Sequence, residues 1–211
     1  MKKKNIISYR DSYYNKKIKF KESSFARFVF KYIGKSKNKK LIDIGCGNGR
    51  DSIFFSKKGY FVTGIDISKT AITKNSIMKN KNLSFSKFDI ENDTTTKKFD
   101  IIYSRFFIHA LTEKGEIKLI KLIKKIKKKN TYVFLEFRNS NDEIFKKVKN
   151  KKHNKFVNFG KGHFRRIINT RYFINNFINK TKSKNLYTIS SKNLSIVKGD
   201  NPNLSRVIFK F

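Results

Sequence analysis

The stretch Leu41–Ser68, LIDIGCGNGRDSIFFSKKGYFVTGIDIS, decides how this chain folds. It reads as strand, glycine turn, helix and strand. Leu41, Ile42 and Ile44, interrupted by Asp43, make the short apolar run of a parallel strand buried on both faces. Gly45, Gly47 and Gly49 follow, alternating with Cys46, Asn48 and Arg50. Glycine takes positive φ without strain and lets a ligand approach where a Cβ would stand. A helix predicted to begin near Asn48 aims its free amide groups at that ligand. The second strand, Tyr60–Ile65, ends in Asp66, with Ile67 behind it. A carboxylate about twenty residues past a glycine turn comes to lie beside that turn, where it can bind both hydroxyls of a ribose.

A dinucleotide fingerprint requires Gly-x-Gly-x-x-Gly/Ala, and the last of those positions here is Arg50. A bulky cation fits a pyrophosphate turn poorly. The pattern present is D-x-G-x-G-x-G from Asp43 to Gly49, with an acid at the end of the next strand. It resembles motif I and the acidic partner of class I S-adenosylmethionine-dependent methyltransferases. An α/β protein with an ordinary tight turn does not account for the three glycines, Asp43 and Asp66 together. The resemblance implies an α/β, Rossmann-like seven-stranded sheet with helices on both faces and an antiparallel C-terminal hairpin. It implies S-adenosyl-L-methionine as cofactor and S-adenosyl-L-homocysteine as product. Gly45, Gly47 and Gly49 would then admit the methionine part, with Cys46, Asn48 and Arg50 beside them as further cofactor contacts. Asp43 would help fix its ammonium and Asp66 would hold the ribose, with Ile67 a further cofactor-binding candidate.

Composition sets the outer bounds. At 211 residues the chain supports one good core, and a single domain over 1–211 is expected. Cys46 is the only cysteine, so no intrachain disulfide forms and a reducing compartment is expected. No run approaches the roughly 18–20 apolar residues of a membrane span, and the basic start lacks an apolar h-region. A cytoplasmic monomer or homodimer is the expectation. The formal net charge is +36, from 51 Lys+Arg against 15 Asp+Glu. Charge of this sign attracts polyanions such as RNA. Its spread along every segment, and the abundance of Lys, Asn, Ile and Phe, also match what an AT-rich coding sequence produces. A dedicated nucleic-acid surface more often clusters its charges with aromatics between them.

The segments around the core stretch add candidates. Ser23 can cap a helix carrying Phe25, Phe28, Val29, Tyr32 and Ile33, ending at Gly34. YRDSYYNKK followed by SSFARFV is similar to the N-terminal signature of a subgroup of bacterial small-molecule methyltransferases. By that resemblance Tyr13, Tyr14 and Phe25 are pocket candidates in a cap segment, residues 1–38; the alternative is packing onto the sheet. Ser68 can cap a helix to about Asn80, and a third strand, Leu83–Phe88, ends at Asp89. In the resembled family an acid at this point binds the adenine amine while the next apolar residue, Ile90, packs on the ring. Phe99–Ser104 reads as the fourth strand, whose end faces the transferring methyl in this fold. In SRFFIHAL, a helical turn over Arg105–His109 would place a guanidinium and an imidazole on one face. Arg105 suits a carboxylate or phosphate and His109 a proton, unless His109 only packs.

Thr112 caps the next helix, with a core stripe of Ile117, Ile120, Ile123 and Ile126 and with Lys127–Lys129 in its last turn. Thr131–Phe137 is the fifth strand, and Glu136 and Arg138 at its end either reach the substrate or pair with each other. Residues 139–166 read as a substrate-side insertion, a loop or short helix ending in Gly-Lys-Gly-His163-Phe-Arg165-Arg166. Glycines, an imidazole and two arginines suit a phosphate or carboxylate, and GHFRR also resembles a feature of the same subgroup. A helix over Ile167–Ile178 and strands at Leu186–Ser190 and Val207–Phe211 complete the order, with a turn at Pro202. The three histidines, His109, His153 and His163, lack metal-ligand spacing.

The resemblance thus implies methyl transfer by in-line displacement, with His109 and His163 as candidate catalytic groups. Tyr13, Tyr14, Arg105, Arg165 and Arg166 are the candidate substrate binders. Ser104, Asp89 and Ile90 join the glycine turn as cofactor binders. The acceptor is expected to be a small anionic metabolite or sugar-linked precursor of cell-envelope or capsule polysaccharide pathways. RNA methylation is a second reading, though no Asn/Asp-Pro-Pro-aromatic motif follows strand four. A non-catalytic S-adenosylmethionine-binding protein is a third.

Overall fold

The computed structural model describes residues 11, 21–35, 38–78, 80–158, 164–196 and 199–211. Tyr13, Tyr14 and His163 lie outside the described residues. The elements are helix α1 (Ser24–Ile33), strand β1 (Lys40–Ile44), helix α2 (Arg50–Lys57), β2 (Phe61–Asp66), α3 (Lys69–Asn75), β3 (Leu83–Lys87) and β4 (Phe99–Arg105). They continue with α4 (Glu113–Ile126), β5 (Lys127–Arg138), β6 (Phe156–Asn158), β7 (Phe164–Arg166), α5 (Thr170–Thr181), β8 (Lys184–Ser191) and β9 (Leu204–Lys210). A seven-stranded sheet runs in the order β3-β2-β1-β4-β5-β9-β8. The first five strands are parallel, and β9 pairs antiparallel with both β5 and β8. This is the architecture expected from the sequence.

Strand alternation divides the core in two. Leu41, Val62, Ile101, Tyr103, Phe134 and Ile208 pack with Phe25, Ala26 and Val29 of α1 and Phe55 of α2. Ile42, Ile44, Ile102, Val133, Leu135 and Val207 pack instead with residues of α4 and α5, including Ile120, Ile123, Phe173 and Phe177. Helix α1 begins where expected: the Ser23 hydroxyl accepts the Ala26 N–H at 3.0 Å, and Gly34 ends the helix with φ of 71°.

Several boundaries differ from the sequence reading. Helix α3 stops at Asn75, well before Asn80. Lys127–Lys129 open β5 rather than close α4, because Lys127 is already extended (φ −68°, ψ 154°). The Thr131 hydroxyl accepts the Lys128 N–H and donates to Phe99 O, both at 2.7 Å, drawing this stretch to the sheet. Leu119 and Leu122 join Ile120, Ile123 and Ile126 in the buried stripe of α4, while Ile117 is exposed. The insertion contains a two-stranded antiparallel ribbon, β6 with β7, that its irregular pattern concealed. Helix α5 starts at Thr170 because the Asn169 side chain accepts the Tyr172 N–H; Ile167 and Ile168 are buried ahead of it.

Register also aligns three charged residues across the strand ends. Arg105 of β4 stands opposite Glu136 of β5, and Glu136 stands opposite Arg206 of β9. Each guanidinium donates its Nε–H to a different Glu136 oxygen at 2.8 Å, and Glu136 is 1% exposed. Arg138 pairs not with Glu136 but with Asp142, at 2.8 Å, and with Asp200. Removing one partner of a buried ion group leaves uncompensated charge. Glu136→Gln is therefore expected to lower the unfolding free energy by about 3–5 kcal/mol in urea titration; a change under about 1 kcal/mol, the scale of a surface pair, would contradict this.

Candidate active site

The turn after β1 is built as the sequence pattern demands. Gly45, Gly47 and Gly49 have φ of 77°, 52° and 71°. A Cβ on Gly45 would stand 2.5 Å from Cδ2 of Phe107, so the ring closes over this glycine. The Gly45 and Cys46 N–H groups both donate to Ile65 O, at 2.8 and 3.0 Å. Gly47 N–H donates to Asp66 Oδ2 at 3.0 Å, Ser68 N–H donates to Oδ1 at 2.9 Å, and the Asn75 amide donates to Gly47 O at 2.7 Å. Asp66 thus orders the turn and still keeps a lone pair on each oxygen.

Beside the turn lies an open cleft of about 570 Å³, with Gly45, Asp66, Ile67, Asp89, Ile90 and Phe107 in its wall. Asp89 is oriented by its own loop: its carboxylate accepts the Glu91 N–H at 3.1 Å and the Asn92 amide at 2.9 Å. A carboxylate for ribose hydroxyls, a second acid at the far side and apolar Ile67 and Ile90 between them match a nucleoside. These wall residues fit S-adenosylmethionine.

Other sequence candidates sit beneath this wall. Asp43 is 2% exposed and accepts the Ser52 hydroxyl at 2.6 Å. Ser104 is buried and donates to Ile44 O at 2.8 Å. Cys46 is buried as well, its thiol pushed up first by burial and then by Asp43 and Asp66. Asn48 and Arg50 are half-buried at the turn's outer side; Arg50 Nη1 donates to Lys21 O at 3.4 Å.

The expected helical turn over Arg105–His109 does not form. Arg105 ends β4, Phe106 turns the chain with φ of 54°, and a single 3-10 turn spans Ile108–Ala110. Arg105 therefore points back to Glu136 and stacks over Phe106, 4.0 Å from the ring centroid. His109 is 1% exposed, and its Nδ1 accepts the Arg138 N–H at 3.1 Å, which puts the proton of the neutral ring on Nε2. Arg165 and Arg166 differ in exposure. Arg165 is half-buried, whereas Arg166 is fully buried and bonds Leu111 O at 3.0 Å, Ile108 O at 3.3 Å, Glu116 at 2.5 Å and Asn154. Arg166 ties β7 to the segment that walls the cleft.

Some contributors escaped the sequence reading. Phe107 covers Gly45, and Thr112, read only as a helix cap, lines the cleft and donates to Glu91 at 2.9 Å. Asn75 holds Gly47 from α3, and Asp11 accepts from the Ser68 hydroxyl and from Thr70 N–H at 3.2 Å. A lone Asn or Asp carries no periodic or motif signal. Among the described residues no group of His, Cys, Asp and Glu could hold a metal ion, and no helix is long and apolar enough to cross a membrane.

Burial, then Asp51 and Asp66, push the Asp43 carboxyl up to about 8, against the Ser52 hydrogen bond and Arg105. The unfolded value is about 3.9, so the folded chain binds the extra proton between these limits. Stability from this group falls as pH rises through that window. Asp43→Asn is expected to raise Tm over the parent at pH 8.5 more than at pH 5; parallel melting curves would contradict it.

Residues 35–193 match the family described as "Methyltransferase domain". The "Probable S-adenosyl-L-methionine-dependent methyltransferase TehB" of Haemophilus influenzae is 28% identical over 108 residues, covering 50% of this chain and 38% of that protein. The chain spans between 20% and 38% of the length of the curated relatives that it matches. A methyltransferase structure from Methanosarcina mazei superposes with a TM-score of 0.71 at 18% identity, covering 87% of this chain and 96% of that one. The glycopeptide N-methyltransferase MtfA, crystallised with S-adenosylhomocysteine, gives a TM-score of 0.69 at 12% identity, over 93% and 92% of the two chains. With the glycine turn, the paired acids and the sheet order in place, this chain belongs to the class I S-adenosylmethionine-dependent methyltransferases.

Proposed function

We propose that this protein transfers a methyl group from S-adenosylmethionine to a small anionic acceptor. The observation that carries the reading is the cleft where Gly45, Asp66, Ile67, Asp89 and Ile90 converge at the strand ends. The donor, when bound, supplies a methyl carbon on a cationic sulfur, whose displacement by an acceptor lone pair returns the electron pair to sulfur. The protein's part is then mostly to orient the two reactants and exclude water. Asp66 takes the ribose hydroxyls, Asp89 the adenine amine, and Ile67 and Ile90 the faces of the base. The methionine part lies along the turn formed by Gly45, Gly47 and Gly49.

His109 acts here as a positioning residue, since its Nδ1 holds the Arg138 N–H and fixes the segment behind Phe107. A base is needed only where the methylated atom is a hydroxyl oxygen, whose proton must leave. Arg105 is the arginine offered to its phosphate or carboxylate, consistent with a phosphorylated or sugar-linked precursor of envelope polysaccharide. RNA is the competing acceptor, favoured by the charge of +36.

Two measurements check this. Asp66→Ala is expected to weaken S-adenosylmethionine binding by about 10- to 100-fold in calorimetry, the scale of lost charge-assisted hydrogen bonds. Tritium from labelled donor, supplied with an extract of the source organism, is expected in the small-molecule or glycan fraction. Label released by ribonuclease would replace the anionic metabolite by RNA, and donor binding without any label would leave a binding protein.

A further inference from the structure

A second pocket, of about 650 Å³, opens on the other side of the glycine turn, under α1. Its wall includes Arg27, Arg50, Arg105, Ser24, Ser195 and Glu22. None of these residues lines the nucleoside cleft. The two spaces flank the ends of β1 and β4: Gly45 and Phe107 face one, and Arg50 and Arg105, one residue beyond Gly49 and two before Phe107, face the other.

The charge in this second pocket is arranged and held. Arg105 has 11% of its side chain exposed, and among the described residues Glu136 is its only hydrogen-bond partner, through Nε. A guanidinium has five N–H donors, so four remain on its terminal nitrogens. Arg27 comes no nearer than 3.9 Å to Glu22, long for an ion pair, while Arg50 lies 3.8 Å from Asp51 and donates to Lys21 O at 3.4 Å. Counting Arg206 behind the wall, four guanidinium groups stand against the carboxylates of Glu22, Asp51 and Glu136, which leaves a net cation.

The floor is rigid. Ser24 Oγ donates to Leu194 O at 2.6 Å, lies 2.7 Å from Ser195 Oγ and accepts from Arg206 at 3.0 Å. Ser23 is fastened to α2 by two 2.7 Å hydrogen bonds to Asp51, which also accepts the Tyr103 hydroxyl at 2.7 Å. Helix α1, the 192–196 segment and the strand ends thus form one framework, the support a preformed binding group requires.

We propose that this pocket binds the phosphate or carboxylate of the methyl acceptor through Arg27, Arg50 and Arg105. The anion then lies beside the methionine end of the donor, opposite the nucleoside cleft. This rests on the methyl-transfer reading above, and it moves acceptor recognition away from Arg166, which the fold consumes. Fork-shaped donors favour a planar or tetrahedral oxyanion over a halide of equal charge.

The test titrates inorganic phosphate, at physiological salt, into the full chain saturated with S-adenosylhomocysteine. Parent, Arg27→Ala, Arg50→Ala and Arg165→Ala are compared by calorimetry. The expected result is one phosphate per chain in the parent and roughly tenfold weaker binding in Arg27→Ala and Arg50→Ala, the scale of one charge-assisted hydrogen bond. Arg165→Ala keeps parental phosphate affinity, and Arg27→Ala keeps parental S-adenosylhomocysteine affinity. Loss in Arg165→Ala alone, or equal affinity in all four, would overturn the proposal. Parallel loss of S-adenosylhomocysteine in Arg27→Ala would overturn it too, by giving the pocket to the donor's own carboxylate. A parent that fails to bind S-adenosylhomocysteine removes the methyl-transfer reading instead, and phosphate titration of that protein still reports whether the arginines form an anion site.

Discussion

One constraint organises the strand ends: three residues of the turn after β1 must hold positive φ, and Asp66 must fix the turn from the neighbouring strand. Parallel pairing of β1 with β2 puts Ile44 opposite Ile65, so the first two turn amides reach Ile65 O and the third reaches the Asp66 carboxylate. Helix α2 can then start only beyond Gly49, and α3 must lie close enough for Asn75 to hold Gly47 O. The same bonds that set this backbone path leave Asp66 at the cleft wall with lone pairs to offer. In the proposed function, turn structure and ribose recognition share this one carboxylate.

A second theme is how few acids the chain has and where they lie. Of 15 acidic residues, Asp43, Asp51, Asp66, Glu116, Glu136 and Asp142 are buried. All six are bound by other elements: Asp43 accepts the Ser52 hydroxyl of α2, Asp51 joins α1, α2 and β4, Glu136 joins β4, β5 and β9, and Glu116 holds Arg166. Asp142 holds Arg138 and the Asn203 N–H, and Asp66 holds the glycine turn. Buried carboxylates are tolerable when partnered, and their partners here are arginines, hydroxyls and amides. Asp43 is the exception in kind, a carboxyl kept neutral by its surroundings. Burying six of its 15 acids adds to the basic exterior that composition sets.

The sheet order and the glycine turn were legible because they rest on short-range signals: an apolar run, glycines at fixed spacing and an acid at a set distance. The Ser23, Ser68 and Thr112 caps were legible for the same reason. What the sequence hid depends on long-range partners. The positive φ of Phe106 redirects Arg105 and His109, and no local propensity marks a phenylalanine for that conformation. GHFRR read as two equivalent cations, yet β7 alternation buries Arg166 and leaves its neighbour half-buried. Arg27 and Arg50 fell on a predicted cap helix and a cofactor turn, and only the packing of α1 against the sheet brings them to Arg105.

The most direct measurement is a crystal structure of the chain with S-adenosylhomocysteine. The account predicts the ribose hydroxyls on Asp66, the adenine between Ile67 and Ile90 with its amine toward Asp89, and the homocysteine end against Gly45–Gly49. A ligand bound elsewhere, or an adenine placed in the Arg27–Arg105 pocket, would contradict it.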